Sequence, residues 1–127
     1  MQLKDYFKKG KAYIWPETFA YIKAKKIDSN AFANIVDKDE ITVIIDQTKY
    51  NKNNVINILK DWKLITLDIK FPITTCGVTA IIATALAKEK IPIMSIASYT
   101  RDHFLIRSKY INKAVKVFDK LGIKTEK

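Results

Sequence analysis

The chain has little of the residues that disulfide scaffolds, flexible linkers and metal sites require. Its 127 residues include one cysteine, one histidine, three glycines and three prolines. A single cysteine excludes an intrachain disulfide framework and fits a reducing compartment. One histidine and one cysteine are too few for a clustered zinc site, and no nucleotide-binding loop occurs. We therefore expect neither a metal nor a cofactor, and no long flexible linker.

The sequence also lacks a long apolar run. No stretch is long enough to span a bilayer, and residues 1–5 lack the apolar core of a signal peptide. Hydrophobic residues nevertheless make up 48% of the chain, which is enough to bury a core. We expect a compact cytoplasmic protein that does not associate with membranes.

Arginine is scarce although the chain is basic. The net charge is +10, and the only arginines are Arg101 and Arg107. Basic chains bind nucleic acid or other anions, but specific phosphate and base contacts favour arginine. Residues 1–60 carry 11 basic and 7 acidic residues, and residues 61–127 carry 12 and 6. This even spread favours a solvated lysine-rich surface over a nucleic-acid partner.

Aromatic residues in the first half keep one alternative function open. Tyr13, Trp15, Tyr21 and Phe32 could stack single-stranded bases on a basic ferredoxin-like sheet. The basic–Gly–aromatic run of such RNA-binding modules is missing, and aromatics in a chain of this size usually belong to the core. Binding of single-stranded nucleic acid is therefore the second hypothesis.

The second half of the chain alternates strand and helix patterns. Gly77–Lys88 has apolar residues at helical spacing, and so does Tyr110–Leu121, which Gly122 ends in the left-handed conformation. Thr74 or Thr75 could cap the first of these helices. Three strands and a short final strand complete the pattern: Trp62–Ile69, Ile91–Tyr99 (apolar on both faces, as in a central strand), His103–Arg107 and residues 123–127.

The first half resembles a degraded copy of the second. Residues 33–44 align with residues 96–107 after a shift of 63 positions, which places Asp39 on Asp102. Lys11–Trp15 predicts a leading strand, Glu17–Lys25 a short helical piece and Asn53–Lys60 a helix. The expected fold is α+β: two ferredoxin-like βαββαβ halves, residues 1–60 and 61–127, packed as one unit. The first half has a shortened first helix.

These patterns resemble ACT domains. The resemblance rests on Trp62–Thr66, Gly77–Ala83, Ile91–Thr100 and Asp102–Ile106, and it is closest to the tandem-ACT group that includes the CASTOR-type amino-acid sensors. It implies a regulatory, non-catalytic module that binds an amino acid or another small carboxylate, often at an interface between ACT units. A homodimer that extends exposed sheet edges is expected.

The resemblance also implies where a ligand binds. By position, the contacts fall on the loop before the first helix and on the following strand: Ile73, Thr74, Thr75, Cys76, Gly77 and Val78, with Ser95, Ile96 and Ser98. Many family members carry an acidic residue or asparagine in this loop for the ligand's amino group. This chain has Thr74, Thr75 and Cys76 there instead.

The residues of this loop support an anion site on physical grounds as well. Glycine allows close approach of a ligand to the backbone, and a helix N-terminus presents unpaired N–H groups. The alternative is that Gly77 serves only tight packing. Cys76 is either a thiol activated by the helix N-terminus or, as the simpler interpretation, a small apolar filler. Asp102 and His103 are adjacent strand residues whose side chains diverge, which does not favour an acid–base pair.

Overall fold

The protein is described by a computed structural model in which residues 3–72 and 75–127 are defined. Its contacts divide the chain into two compact units. Unit 1 comprises residues 1–16 and 63–127, and unit 2 comprises residues 17–62. The basic charge follows this division: unit 1 carries 16 basic and 6 acidic residues, and unit 2 carries 7 of each. The net charge of +10 therefore belongs to unit 1.

Unit 1 is a sheet with helices packed on one face. It contains α1 (Leu3–Lys9), β1 (Lys11–Ile14), α2 (Val78–Lys88), β6 (Met94–Ala97), β7 (Asp102–Arg107), α3 (Ile111–Lys120) and β8 (Lys124–Glu126). The last six residues of β5 (Val55–Asp68) also belong to it. The strand order is β6-β7-β5-β1-β8, with β1 antiparallel to β5 and parallel to β8.

Apolar spacing explains how the helices of unit 1 pack. In α2, Val78, Ile82 and Leu86 recur every four residues and are buried. In α3, Ala114, Val117 and Phe118 are buried while lysines occupy the outer face. These residues form one core with the inward-facing positions of the sheet: Ala12, Ile65, Leu67, Phe104 and Ile106.

Unit 2 is a four-stranded antiparallel sheet. Its order is β3-β4-β2-β5, built from β2 (Phe19–Ala24), β3 (Ala33–Val36), β4 (Ile41–Asp46) and the first part of β5. The segments that connect β2 to β3 and β4 to β5 contain no helix beyond a three-residue 3-10 turn at Lys52–Asn54. They contribute Ala31 and Tyr50 to the core that covers one sheet face. This is the ferredoxin-like strand order with both helices replaced by loops.

Several predictions about the second half are confirmed. Strands occur within Trp62–Ile69, His103–Arg107 and residues 123–127, and both helices form as expected. Gly122 adopts a φ of 89° after α3, and its N–H donates to the Asp119 carbonyl. The predicted central strand over Ile91–Tyr99 is wrong in extent and position. β6 covers only Met94–Ala97 and pairs with β7 alone.

The predictions for the first half need more correction. Glu17–Lys25 is not helical, because it contains strand β2. Asn53–Lys60 is not a helix either, because β5 begins at Val55. Lys11–Trp15 does contain a strand, but β1 pairs with β5 and β8 in unit 1. Helix α1 was not predicted.

The predicted repeat is present with a different register. Both halves contain a hairpin whose turn spans four residues, 37–40 and 98–101. Asp37 N donates to the Glu40 carbonyl at 3.1 Å, and Ser98 N donates to the Arg101 carbonyl at 2.9 Å. These bonds make Asp37 equivalent to Ser98, a shift of 61 positions rather than 63. Asp39 lies in its turn, and Asp102 begins a strand, so the two are not equivalent.

Among the described residues, no helix is long and apolar enough to cross a membrane.

Candidate functional site

A cleft of about 440 Å³ opens on unit 1 between the start of α2 and the β6–β7 turn. Residues from two segments line it: Phe71, Pro72, Thr75, Gly77, Val78, Thr79 and Ala80 from the first, and Ala97, Ser98, Tyr99, Thr100, Arg101 and Asp102 from the second. The walls combine apolar and aromatic side chains with hydroxyls, one cation and one carboxylate. Such a mixture is typical of sites for small polar molecules.

The first turn of α2 presents backbone N–H groups at this cleft. Gly77 is the residue before the helix, with a φ of 89°, and no side chain caps the helix start. The Gly77 carbonyl accepts the first helical hydrogen bond, from Ile81 N at 3.0 Å. The first N–H groups of a helix have no partner within it, and they carry a partial positive charge. This end of α2 therefore favours a negatively charged group.

The predicted threonine cap is not formed by Thr75. Its backbone N–H donates to the Pro72 carbonyl at 2.8 Å, and the cap position belongs to Gly77. Thr74 lies outside the described residues. The hydroxyl of Thr75 lines the cleft.

Arg101 supplies the cation of the cleft. Its Nε donates to Asp68 Oδ1 at 2.7 Å and its Nη1 to the Thr100 carbonyl at 3.0 Å. The side chains of Arg101 and Asp68 are 26% and 28% exposed. In the described part of the chain, Nη2 has no hydrogen-bond partner. The guanidinium is thus fixed at one end and can donate to a ligand at the other.

Asp102 supplies the carboxylate. It is the first residue of β7, it is half-buried, and it lines the same cleft as Arg101. Within one cleft, the start of α2 and Arg101 favour an anion, and Asp102 favours a cation. A small zwitterion satisfies both requirements.

A chain of hydrogen bonds leads from the cleft into the sheet. Ser98 Oγ lies 2.9 Å from His103 Nε2, and His103 Nδ1 lies 2.8 Å from Thr66 Oγ1. Trp15 Nε1 donates to Thr66 Oγ1 at 2.7 Å. His103 is only 6% exposed. Burial lowers the pKa of His103 below its ordinary value of 6.5, Arg101 lowers it further, and Asp102 opposes the shift.

The structure brings only part of the predicted ligand site together. Thr75, Gly77, Val78 and Ser98 line the cleft, whereas Cys76, Ser95 and Ile96 are not among its lining residues. Ile73 and Thr74 lie outside the described residues. Cys76 is exposed, so it is not the buried apolar filler that the simpler interpretation proposed. Whether these residues bind a ligand stays a prediction.

Sequence reasoning missed the charged pair of the cleft. Neither Arg101 nor Asp102 was predicted to contact a ligand. The signal that could have found them was the polar run Ser98–Asp102 at the end of an apolar strand, since the turn between β6 and β7 faces the start of α2. Phe71, Pro72 and Tyr99 were not proposed either.

A second cavity, of about 550 Å³, lies between α2 and α3. Its lining is largely apolar, with Ile81, Ala85, Val117 and Leu121 among the residues. Its polar lining residues are Thr84, Lys88, Glu89 and Lys120, and none of them is buried. We therefore place the candidate site at the first cleft.

Comparison with known proteins identifies the family. A family model described as the ACT domain matches residues 57–120, about half of the chain. The protein therefore belongs to the ACT domain family, and its α+β fold is that of ferredoxin-like ACT repeats. No match was found among curated protein sequences.

Solved structures share this fold over nearly the whole chain. A protein of Agobacterium tumefaciens is 15% identical with a TM-score of 0.77, over 93% of each chain. A Vibrio cholerae protein, described as of unknown function and a possible transport protein, is 18% identical with a TM-score of 0.77, over 94% of this chain and 95% of that one. The regulatory subunit of aspartate kinase from Thermus thermophilus is 12% identical with a TM-score of 0.67, over 91% and 97%.

Proposed function

We propose that this protein is a non-catalytic regulatory module that binds a free amino acid in the cleft between α2 and the β6–β7 turn. Membership of the ACT family supports regulation by a small molecule. The observation that carries the ligand class is the presence of Arg101, Asp102 and the uncapped start of α2 in one cleft. The likeness to CASTOR-type sensors supports only the class of ligand, which is an amino acid.

Each charged group of an amino acid has a partner in this proposal. The α-carboxylate accepts hydrogen bonds from the first backbone N–H groups of α2 and from Arg101 Nη2. The α-ammonium donates to Asp102, which takes the part that an acidic loop residue plays in other ACT sites. The apolar walls formed by Phe71, Val78 and Tyr99 contact the ligand's side chain.

The net charge of unit 1 supports binding of a group with a carboxylate. An excess of positive charge attracts anionic groups and raises their association rate. A carboxylic acid without an ammonium group leaves Asp102 facing the ligand without a cation. We therefore expect amino acids to bind more tightly than the matching simple carboxylates.

Assembly is a second part of the proposal. β3 pairs with β4 alone in the sheet of unit 2, and its Ile35 and Val36 are 42% and 66% exposed. An edge strand with exposed apolar residues is suited to pairing with another chain. We propose a cytoplasmic homodimer in which the ligand stabilises one arrangement of subunits, because it binds that arrangement more tightly. Light scattering of wild type and Val36→Lys tests the edge: the variant is expected to be monomeric.

The ligand is tested by calorimetry and thermal shift with each standard amino acid. One of them should raise the unfolding midpoint in a concentration-dependent way. Asp102→Asn should then weaken binding by about 10- to 100-fold, because a hydrogen bond to a charged group contributes roughly 1.5–3 kcal/mol. Asp119→Asn is the matched control, since it makes the same charge change on the exposed face of α3.

Two results would contradict the proposal. One is the absence of a thermal shift with every amino acid. The other is an equal loss of affinity in Asp102→Asn and Asp119→Asn, which would assign the effect to overall charge. Stabilisation by a single-stranded oligonucleotide that disappears at high salt would favour the nucleic-acid hypothesis instead.

A further inference from the structure

His103 connects the cleft to the interior of the sheet. It lies in β7, it is buried, and its two ring nitrogens face two hydroxyls, Ser98 Oγ at 2.9 Å and Thr66 Oγ1 at 2.8 Å. Of these, Ser98 lines the cleft, whereas Thr66 is fully buried on β5. His103 therefore contacts a cleft residue from behind, without lining the cleft itself.

We assign the tautomer of the imidazole from the donors and acceptors at the ends of this hydrogen-bond chain, since each ring nitrogen can either donate or accept. Ser98 Oγ donates to the Arg101 carbonyl at 3.2 Å, since a carbonyl can only accept. With its one proton used in this bond, Ser98 Oγ accepts from His103, and this arrangement places the imidazole proton on Nε2. His103 Nδ1 is left as an acceptor for the Thr66 hydroxyl, which in turn accepts from Trp15 Nε1. These four hydrogen bonds are all consistent with this one neutral form.

We infer that His103 is a positioning residue for the cleft: its Nε2–H holds the Ser98 hydroxyl and the β6–β7 turn in their binding arrangement, and the bond between Nδ1 and Thr66, which fixes the ring behind Ser98, requires a neutral imidazole. The inference rests on the proposed function for its effect on ligand binding. The hydrogen-bond chain itself does not depend on any ligand.

Protonation conflicts with the hydrogen-bond chain at Thr66. A second proton on Nδ1 turns this nitrogen from an acceptor into a donor. The Thr66 oxygen can accept it beside the Trp15 N–H, but the Thr66 hydroxyl proton then loses its acceptor and the bond that fixes the ring is reversed. The charged groups that act on the imidazole are Asp102 beside it and Arg101 in the turn. Arg101 is itself paired with Asp68 on β5. Two further neighbours of His103 are neutral: Ile96, its paired residue on β6, and Thr66, its hydrogen-bond partner on β5.

The first experiment reads the tautomer directly. His103 is the only histidine of the chain, so long-range proton–nitrogen NMR spectra contain one imidazole. The expected result at neutral pH is a protonated Nε2 and an unprotonated Nδ1. On acidification, the amide resonances of Ser98 and Arg101 should shift with the same midpoint as the imidazole.

The opposite tautomer would overturn the inference. With the proton on Nδ1, His103 Nε2 would accept from Ser98, which is the arrangement of an activated hydroxyl rather than of a positioned acceptor. Ser98 and Arg101 amides that do not follow the imidazole titration would also overturn it. Neither result depends on whether an amino acid binds, so failure here is distinguishable from failure of the proposed function.

The second experiment measures binding of the amino acid that gives the thermal shift. Its Kd should rise by up to about tenfold between about pH 7.5 and about pH 5.5, the limit for a site that requires a neutral imidazole of ordinary pKa. His103→Gln keeps an N–H where Nε2 lies and cannot titrate in this range. It should bind with nearly the wild-type Kd at the higher pH and lose the pH dependence.

Ser98→Ala separates the positioning role from a general effect of acid. It should weaken binding and remove most of the pH dependence, because the hydroxyl that His103 holds is gone. A wild-type Kd that is constant over this range, or His103→Gln with an unchanged pH dependence, would refute the inference. A variant that fails to fold is recognised by its amide spectrum, and the tautomer measurement on the wild type then decides.

Discussion

Gly10 lies between α1 and β1, and an alanine there should destabilise unit 1. A Cβ atom at Gly10 would overlap the side chain of Ile69, which is 7% exposed and belongs to the core. Forcing extra atoms into a packed core costs about 1–3 kcal/mol. Where no clash exists, Gly→Ala stabilises by about 0.4–1 kcal/mol through the unfolded chain. A loss of stability in Gly10→Ala would therefore indicate the overlap with Ile69, and a gain would indicate its absence.

The expected result for Gly10→Ala is a net loss of about 1–2 kcal/mol in the free energy of unfolding, measured by urea titration. For a chain of this length, each kcal/mol lowers the thermal midpoint by about 4 °C. The second variant is Ile69→Ala, which should cost about 2–4 kcal/mol because it leaves a cavity.

A double-mutant cycle tests the cause. The methyl group that Gly10→Ala introduces occupies space that Ile69→Ala vacates. The double mutant should therefore lose less free energy of unfolding than the sum of the two single-mutant losses, by more than about 0.5 kcal/mol. An additive double mutant, or a Gly10→Ala protein at least as stable as the wild type, would refute the packing argument.

Three further predictions concern the cleft and the hydrogen-bond chain. Gly77→Ala and Gly122→Ala each place a Cβ at a φ of 89° with no close neighbour, so each should cost about 1–2 kcal/mol. Only Gly77→Ala should weaken binding of the amino acid. Equal Kd values for the two variants would argue against the cleft as the binding site. Stability should fall as the pH drops below about 6.5, because the folded state holds the pKa of His103 below its unfolded value, so that the unfolded chain binds more protons. His103→Gln should flatten this part of the stability curve, and an unchanged slope would assign the effect to other groups. Thr66→Val keeps the side-chain shape but removes the buried hydroxyl between Trp15 and His103, and it should cost about 1–3 kcal/mol; urea titration of both proteins measures the loss, and a fully stable variant would contradict it.

The sequence predicted the second half well because its apolar periodicity was undisturbed. Val78, Ile82 and Leu86 recur every four residues and are buried on one helix face. Ile65 and Leu67 alternate as a strand requires, although Leu64 and Thr66 on the opposite face are buried as well. Where the spacing of apolar residues follows the geometry of the element, the pattern alone identifies it.

The prediction of a helix over Asn53–Lys60 is wrong because β-bulges change the spacing of the buried apolar residues. The pairing of β2 with β5 shifts register between Lys23 and Ala24 and again between Phe19 and Tyr21. An extra residue in one strand moves the next side chain to the opposite face. Val55 and Ile58 therefore both pack against the same core at a spacing of three, which is also the spacing of a helix. Asp61, with a φ of 69°, lies next to the second shift.

The strand β2 was mistaken for a helix for a related reason. Ala20, Ile22 and Ala24 alternate toward the core of unit 2, but Phe19 is buried as well and contacts Phe32. Burial of the second face at Phe19 obscures the alternation of polar and apolar residues at the start of the strand.

The cleft could be predicted only in part because its two walls come from separate segments. Gly77 marks a helix start in the sequence, and the resemblance to ACT domains pointed to the loop before it. Nothing local shows that Arg101 and Asp102 face this loop. Their place depends on the pairing of β7 with β5 and on the ion pair between Arg101 and Asp68.

The discontinuous make-up of unit 1 has a consequence for folding on the ribosome. Its β1 is synthesised well before its partners, because Ala12 pairs with Leu67 and with Thr125. Unit 2 comprises residues 17–62 alone. It can therefore form before the partners of β1 have all been synthesised. Unit 1 gains β8 last, because this strand is synthesised after all its other strands. We expect nascent chains truncated before β8 to protect unit 2 from protease while unit 1 remains open to it.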